Sequence, residues 1–138
     1  MSPIHLQIGE KHYQTVEHFF QAMKACIITE HERIRLAKSP GEAKKFGRAT
    51  QLRPDWEVIK EQVMETGLRA KFHSDGLLAE RLLETGSAEL IEGNYHNDCE
   101  WGVCRGKGKN KLGKLLMKIR GELSQEKSKN LFEELSEE

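Results

Sequence analysis

Carboxylate side chains in two distant parts of the sequence could act together as an acid–base pair, for example on a glycosidic bond. Glu17 lies in an early helical segment, and Asp98 lies beside Trp101-Gly102 in a late irregular one. Breaking an N-glycosidic bond needs one group to stabilise the sugar cation or activate water and another to help the base depart. Trp101 could stack on a planar base. The alternative is that the carboxylates are solvated and that Trp101 and Trp56 only pack against other side chains. Composition alone favours this alternative.

A second feature is a segment rich in lysine and glycine at residues 105–111, which leads into a helix. Glycine-rich backbone at a helix N-terminus is suited to bind an anion. Four lysines that follow helical spacing extend the positive charge along one stripe: Lys107, Lys111, Lys114 and Lys118. The pattern GxxxxGK[ST] is absent, so this is no P-loop. We predict a phosphate site here, with a solvated basic helix face as the alternative.

Cysteine and histidine residues in the same region suggest a metal site only weakly. His96, Cys99 and Cys104 match no standard zinc spacing, and no CxxC pair is present. A cysteine protease would need a supporting Cys/His arrangement that the sequence does not show. With three cysteines in all, a disulfide framework is not expected either. We therefore predict no metal site and a reducing, cytoplasmic location.

The bulk properties indicate one globular domain. The chain has 138 residues, of which 37% are hydrophobic and 32% charged, and its 22 basic and 22 acidic residues give a formal net charge of zero. No apolar run approaches the roughly 20 residues of a membrane-spanning helix. Overall neutrality leaves nucleic-acid binding to the local basic stripe, and we expect no membrane partner.

Hydrophobic periodicity predicts a mostly helical chain. It begins with a predicted hairpin at residues 4–14, where apolar residues alternate before Gly9-Glu10. A helix from Val16 to about Ile28 would carry Glu17, Gln21 and Lys24 on a polar stripe. Helices are also predicted near 30–37, where Thr29 and Glu32 form a capping-box pattern, and near 40–48, where Ser39 is the N-cap and Pro40 the first residue. Two more are predicted from Pro54 onward and after Ser74, the second of them ended by Thr85-Gly86. A short strand at 88–92 precedes an irregular stretch at 93–108, which is long enough to suggest a functional role. The last helix is predicted at 110–123, followed by a frayed, charged tail.

Several separated motifs together resemble the YbiA/NADAR family. They occur in the family's order between about residues 3 and 123 and read, in this chain, TVEHFFQAxK at 15–24, GR at 47–48, LRPDW at 52–56, LxxKF at 68–72, NDxxWG at 97–102 and GKGKNKLGxLLM at 106–117. The resemblance implies a YbiA-like α+β domain, predominantly helical with a small β component, at residues 1–123. Residues 124–138 would be a charged tail.

The resemblance also implies a function. Family members are N-glycosidases, best known for hydrolysing phosphoribosylamino-pyrimidine intermediates of riboflavin biosynthesis with release of ribose 5-phosphate, and no metal or organic cofactor is implied. Glu17 and Asp98 are then the candidate catalytic carboxylates, with their individual roles left open. The implied substrate-binding residues are Arg48, Trp56, Lys71, Trp101, Gly102, Lys109 and Asn110.

Alternative functions follow from the same resemblance and from two departures. Family members usually carry an FSNF-like stretch before the equivalent of Ser2-Pro3-Ile4, and this sequence starts after it. Position 103, often acidic or isoleucine in the family, is valine here. We therefore expect the activity to be reduced or lost, or the substrate to be changed. One alternative is hydrolysis of ADP-ribosyl-guanine, the one case in which nucleic acid would be a partner, and another is a non-catalytic module that binds ADP-ribose or a nucleotide. A protein-binding adaptor ranks last, because no exposed apolar stripe stands out.

Overall fold

The structure is a computed structural model that describes residues 6–90 and 110–136. The chain divides into two compact units, the first ending at Asp75 and the second beginning at Gly76. The described elements of the first unit are β1 (Leu6–Ile8), β2 (Lys11–Tyr13), α1 (Val16–Met23), α2 (Ile28–Arg35), α3 (Pro40–Ala49) and α4 (Trp56–Ser74). Those of the second are α5 (Gly76–Glu84) and α6 (Lys111–Ser136). The prediction of a predominantly helical α+β fold is confirmed.

The predicted N-terminal hairpin is present. Strands β1 and β2 pair antiparallel, with Leu6 opposite Tyr13 and Ile8 opposite Lys11. Gly9 in the turn has φ +66°, a conformation that glycine adopts at no steric cost. Leu6 and Tyr13 are both buried, so one face of the hairpin joins the core of the first unit.

Helix α1 lies at the centre of the first unit, because its residues from His18 to Ala22 are all buried. It crosses α4 closely at Gly67, where a Cβ atom would lie 3.0 Å from Cδ2 of Phe19 and 3.1 Å from Cγ1 of Val16. A larger residue at position 67 would therefore push the two helices apart.

The end of α1 differs from the prediction, since the helix stops at Met23 and not near Ile28. The backbone of Lys24 and Cys26 instead pairs with the segment before α4. Arg53 N–H donates to the Lys24 carbonyl at 2.9 Å, and Cys26 N–H donates to the Gln51 carbonyl at 3.1 Å. Lys24 and Arg53 are 29 positions apart in the sequence. Their antiparallel pairing satisfies backbone groups that would otherwise continue the helix.

Helix α2 is held against the hairpin by a charged network. Glu32 accepts hydrogen bonds from Lys11 Nζ at 3.1 Å and Arg35 Nε at 2.5 Å, and Arg35 also donates to the carbonyl of His12. The predicted capping box at Thr29 is wrong: Ile27 is the N-cap without a side-chain hydrogen bond, and the Glu32 carboxylate serves the network instead.

The network makes stability depend on Glu32 at acidic pH. Hydrogen bonds from Arg35 and Lys11 lower the Glu32 pKa from its usual 4.5 to about 2. Its contribution is therefore complete above about pH 4.5 and is lost as the pH falls towards 2. We expect Glu32→Gln to lower the free energy of unfolding at pH 7 by about 1 kcal/mol, because the pair is partly exposed and screened.

Urea unfolding at several pH values measures this difference, which should shrink between pH 4.5 and 2. The exposed turn residue Glu10, changed to Gln, is the matched control. A pH-independent difference for Glu32→Gln would contradict the prediction.

The predicted start of α3 is confirmed, and the predicted start of α4 is wrong. Ser39 caps α3 as predicted, accepting from Glu42 N–H at 3.1 Å, with Pro40 at the first position. Helix α4 begins at Trp56 after Asp55, so the prediction of Pro54 as its first residue is wrong. The Arg53 carbonyl accepts from Trp56 N–H at 3.1 Å, which places Pro54 and Asp55 in a turn.

In the second unit, Leu82 of α5 and Leu115, Ile119 and Leu123 of α6 are buried. Thr85-Gly86 ends α5 as predicted, with Gly86 at φ +62°. Residues 88–90 form no strand, and the rest of the predicted strand at 88–92 lies outside the described residues. Helix α6 continues past the predicted end at 123 to Ser136. Among the helices described, none is long and apolar enough to cross a membrane.

Candidate active site

The carboxylate of Glu17 is held in place from within its own helix. Thr15 caps α1 by accepting a hydrogen bond from His18 N–H, so Glu17 lies in the first turn, where the helix dipole favours negative charge. One turn later, Gln21 Nε2 donates to Glu17 Oε1 at 2.8 Å. Glu17 itself is only partly buried. The carboxylate is therefore fixed in direction and still within reach of solvent or a ligand.

Lys24 places a positive charge near this carboxylate. Burial lowers the pKa of Lys24, the charge of Glu17 opposes that shift, and the nearby cations Lys44, Arg48 and Lys60 lower the pKa further. The backbone pairing with Arg53 fixes where α1 ends and so fixes Lys24. Glu17 and three cations, Lys24 at the end of α1 with Lys44 and Arg48 of α3, therefore form a set that would gain from binding an anion, while Lys60 is also paired with Glu57 at 2.7 Å.

Arg48 joins this cluster from the end of α3, with an exposed side chain. The preceding residue, Gly47, is buried and lets α3 approach α1. A Cβ atom there would lie only 2.0 Å from Oε1 of Gln21. The GR pair noted in the sequence therefore has two separate features, a glycine that makes room for Gln21 and an arginine that faces solvent.

Trp56 connects to the cluster through Phe20. The Trp56 and Phe20 rings meet edge to face with centroids 5.0 Å apart, and Lys24 Nζ lies 5.6 Å from the centroid of the Phe20 ring. Trp56 is only 5% exposed. Its indole packs against Phe20, which in turn contacts Lys24. The predicted contact of Trp56 with a base stays a prediction.

Lys71 lies elsewhere on α4. It is exposed and follows Gly67 by four residues, so both lie on the face that crosses the start of α1. At 1.5 Å per residue, it is about 22 Å along the helix from Trp56. The structure therefore does not bring Lys71 to the Trp56 end of the cluster, and its role in substrate binding is untested.

Asn110 belongs to the second unit and is described there by itself. It is 8% exposed, has φ +49°, and its side chain donates to the Leu90 carbonyl at 2.8 Å. Its own carbonyl accepts from Lys114 N–H at 3.0 Å in the first turn of α6. A Cβ atom on Gly113 would lie 2.2 Å from the Leu90 carbonyl oxygen, so glycine is required for this approach. Asn110 thus orders the start of α6, and its predicted contact with substrate stays a prediction.

Asp98, Trp101, Gly102 and Lys109 lie outside the described residues, as do His96, Cys99 and Cys104. Within residues 6–90 and 110–136, no group of three or more His, Cys, Asp or Glu side chains could hold a metal ion.

The neighbouring His18 has a structural role. It is completely buried, and its Nε2 lies 3.0 Å from the Ala37 carbonyl while its Nδ1 lies 2.8 Å from Thr15 Oγ1. Because a carbonyl only accepts, Nε2 carries the proton, and in the neutral ring Nδ1 accepts from the Thr15 hydroxyl. His18 ties the start of α1 to the segment after α2.

Sequence reasoning missed Gln21 and Lys24 as site residues, although a signal was present. With Glu17 they recur at i, i+4 and i+7, which places all three on one face of α1. A polar stripe on an otherwise apolar, buried helix indicates residues that are candidates for a functional site.

Comparison with known proteins shows which family this chain resembles. The NADAR domain profile matches residues 2–124. The chain is 44% identical to N-glycosidase YbiA of Escherichia coli over 125 residues, covering 88% of this chain and 78% of that protein. The solution NMR structure of the E. coli protein YbiA superposes with a TM-score of 0.82 at 43% identity, covering 91% of this chain and 76% of that one.

Two further relatives carry informative names. An N-glycosidase of Nostoc punctiforme is 39% identical over 131 residues, covering 88% of this chain and 81% of that protein. A chloroplastic riboflavin biosynthesis protein of Zea mays is 39% identical over 124 residues, which is 80% of this chain but 20% of that protein. The prediction of a hydrolase acting on N-glycosyl compounds is confirmed at the level of these relatives. With most of its length matched by one domain profile and the same fold as a solved relative, the chain belongs to the NADAR domain family.

Proposed function

We propose that this protein is an N-glycosidase that hydrolyses phosphoribosylamino-pyrimidine intermediates of riboflavin biosynthesis and releases ribose 5-phosphate. The observation that carries the proposal is the Glu17 carboxylate, which Gln21 holds by a hydrogen bond, together with Lys24, whose pKa the charges of both Glu17 and Arg48 shift. The N-glycosidase names of its relatives support the bond type, and the riboflavin biosynthesis name supports the class of substrate.

The reaction assigns a task to each part of this cluster. Water adds to C1′ of the ribose while the bond from C1′ to the amino nitrogen breaks; the bonding electrons pass to the nitrogen, which takes up a proton. Glu17 and, by the family resemblance, Asp98 divide between them the activation of water and the stabilisation of the sugar cation. The 5-phosphate is a dianion for most of the neutral range, and the cations of α1, α3 and α4 match its charge.

An assay with two substrates tests the proposal. Ribose 5-phosphate release from the phosphoribosylamino-pyrimidine is measured beside ADP-ribose release from ADP-ribosylated guanine, with parent protein and an Asp98→Asn variant. Turnover of the first substrate alone supports the proposal. Turnover of the second alone would overturn the substrate class, and intact binding of either without turnover, seen by calorimetry, would replace the enzyme by a binding module.

Arg48 gives a separate prediction about phosphate recognition. We expect Arg48→Ala to raise the KM for the phosphorylated substrate about tenfold, which corresponds to one charge-assisted hydrogen bond, with kcat little changed. The KM for the same compound without its phosphate should stay the same. Lys45→Ala, an exposed cation on the same helix, is the control. Equal losses on both compounds would show that Arg48 does not contact the phosphate.

A further inference from the structure

Gln21 is an unusual residue to find in the core of the first unit. Its side chain is 3% exposed, and its Nε2 donates to Glu17 while its Oε1 is buried with no hydrogen-bond partner among the described residues. Leaving a buried acceptor unpaired is destabilising, because the group loses its hydrogen bonds to water without replacing them. Such a cost in a native core needs a compensating role.

The direction of the amide follows from its neighbours. A carboxylate can only accept, so the NH2 end must face Glu17 and the oxygen must point the other way, towards Gly47. There it fills the space that any larger residue would take, since a Cβ atom on Gly47 would lie 2.0 Å from Oε1 and 3.2 Å from Gln21 Cβ. Gly47 therefore provides the slot that keeps the amide in one orientation.

We propose that Gln21 is a positioning residue whose amide, seated against Gly47, directs the Glu17 carboxylate towards the substrate. This inference rests on the proposed function, because it assigns Glu17 to the chemistry. Glu17 Oε1 is engaged by Gln21 Nε2, which leaves Oε2 as the oxygen available to water or to the sugar cation. A carboxylate fixed in this way is preorganised for the transition state, and it does not have to be reoriented during the reaction.

The test separates positioning from packing. Gln21→Met keeps a long, unbranched side chain, removes the hydrogen bond to Glu17 and also removes the unpaired oxygen. We expect kcat to fall about 10- to 100-fold with KM within about threefold, since a small misplacement of a catalytic group costs up to about that much. The urea midpoint should not fall. A residue needed only for packing would leave kcat per folded molecule unchanged, because Met fills the same space.

Gly47→Ala tests the same hydrogen bond, between Gln21 and Glu17, without changing either residue. Its methyl group would displace the end of the Gln21 side chain, so we expect the same fall in kcat with Gln21 intact. Gln62→Met, the same substitution at an exposed site on α4, is the control. In a Glu17→Gln background, Gln21→Met should have no further effect on kcat, because the two residues act as a unit. Additive losses would overturn the proposal.

A measurement without substrate distinguishes failure of this inference from failure of the proposed function. In the parent protein, one Gln21 side-chain amide proton should resonate downfield and exchange slowly, and Glu17→Ala should abolish both properties. If neither property is found, the positioning role is overturned whatever the assay shows. If both are found and Glu17→Gln retains full turnover, Gln21 still orients Glu17, but the proposal that this serves the chemistry is overturned together with the catalytic assignment of Glu17.

Discussion

Glu17→Gln is expected to lower kcat on the phosphoribosylamino-pyrimidine by about 10³-fold, within the range that a positioned acid or base contributes. The substitution keeps the size and the possibility of a hydrogen bond with Gln21, and it removes the charge that would stabilise the sugar cation or take a proton from water. Single-turnover measurements at equal folded concentration would separate this loss from any change in binding. KM should change little, because under the proposed function the cations and not Glu17 would bind the phosphate.

Glu10→Gln makes the same chemical change at an exposed turn and should leave kcat as in the parent. A Glu17→Gln variant that keeps more than about a tenth of the parent kcat would remove Glu17 from the list of acid–base groups, whose loss usually costs 10²-fold or more. Asp98 would then be the remaining candidate from the sequence for both tasks.

His18→Ala is expected to destabilise the fold by about 3–5 kcal/mol, because it leaves a cavity at a completely buried site and removes the partner of the Ala37 carbonyl. A domain of this size has only about 5–15 kcal/mol in all, so the loss would be a large fraction of its stability. Urea unfolding followed by tryptophan fluorescence should show a much lower midpoint.

His12→Ala is the matched control, since His12 lies exposed on β2. Its effect should stay within about 0.5 kcal/mol, as is usual for surface changes. If the two variants unfolded at the same urea concentration, the contacts of His18 with Thr15 and Ala37 would not carry the stability that their burial implies.

Local signals in the sequence correctly predicted the hairpin and the start of α3. Alternating apolar residues and Gly9 predicted the hairpin, and Ser39-Pro40 predicted the start of α3. The errors arise where partners lie far away in sequence. Met23 ends α1 because Lys24 and Cys26 pair with residues near 52, and Glu32 fails to cap α2 because Lys11 and Arg35 bind it.

The candidate site was predictable in part for the same reason. Glu17 and Arg48 came from family motifs, and the fold lets the charges of both shift the pKa of Lys24. The role of Gln21 depends on a slot at Gly47, 26 positions further along the chain, and only the packing of α3 on α1 reveals it. Residues of one motif can be recognised in sequence, but the distance between two motifs requires the fold.

The backbone pairing between the end of α1 and the segment before α4 has a consequence for how freely this protein can change during evolution. Because main-chain N–H and carbonyl groups form these bonds, most side chains at Cys26, Leu52 and Arg53 could drift without moving Lys24. Proline is the exception at positions 26 and 53, since it has no N–H to donate. The pairing itself therefore constrains these positions only by excluding proline from two of them, and any further constraint on their side chains has another origin, such as the ion pair of Arg53 with Asp55.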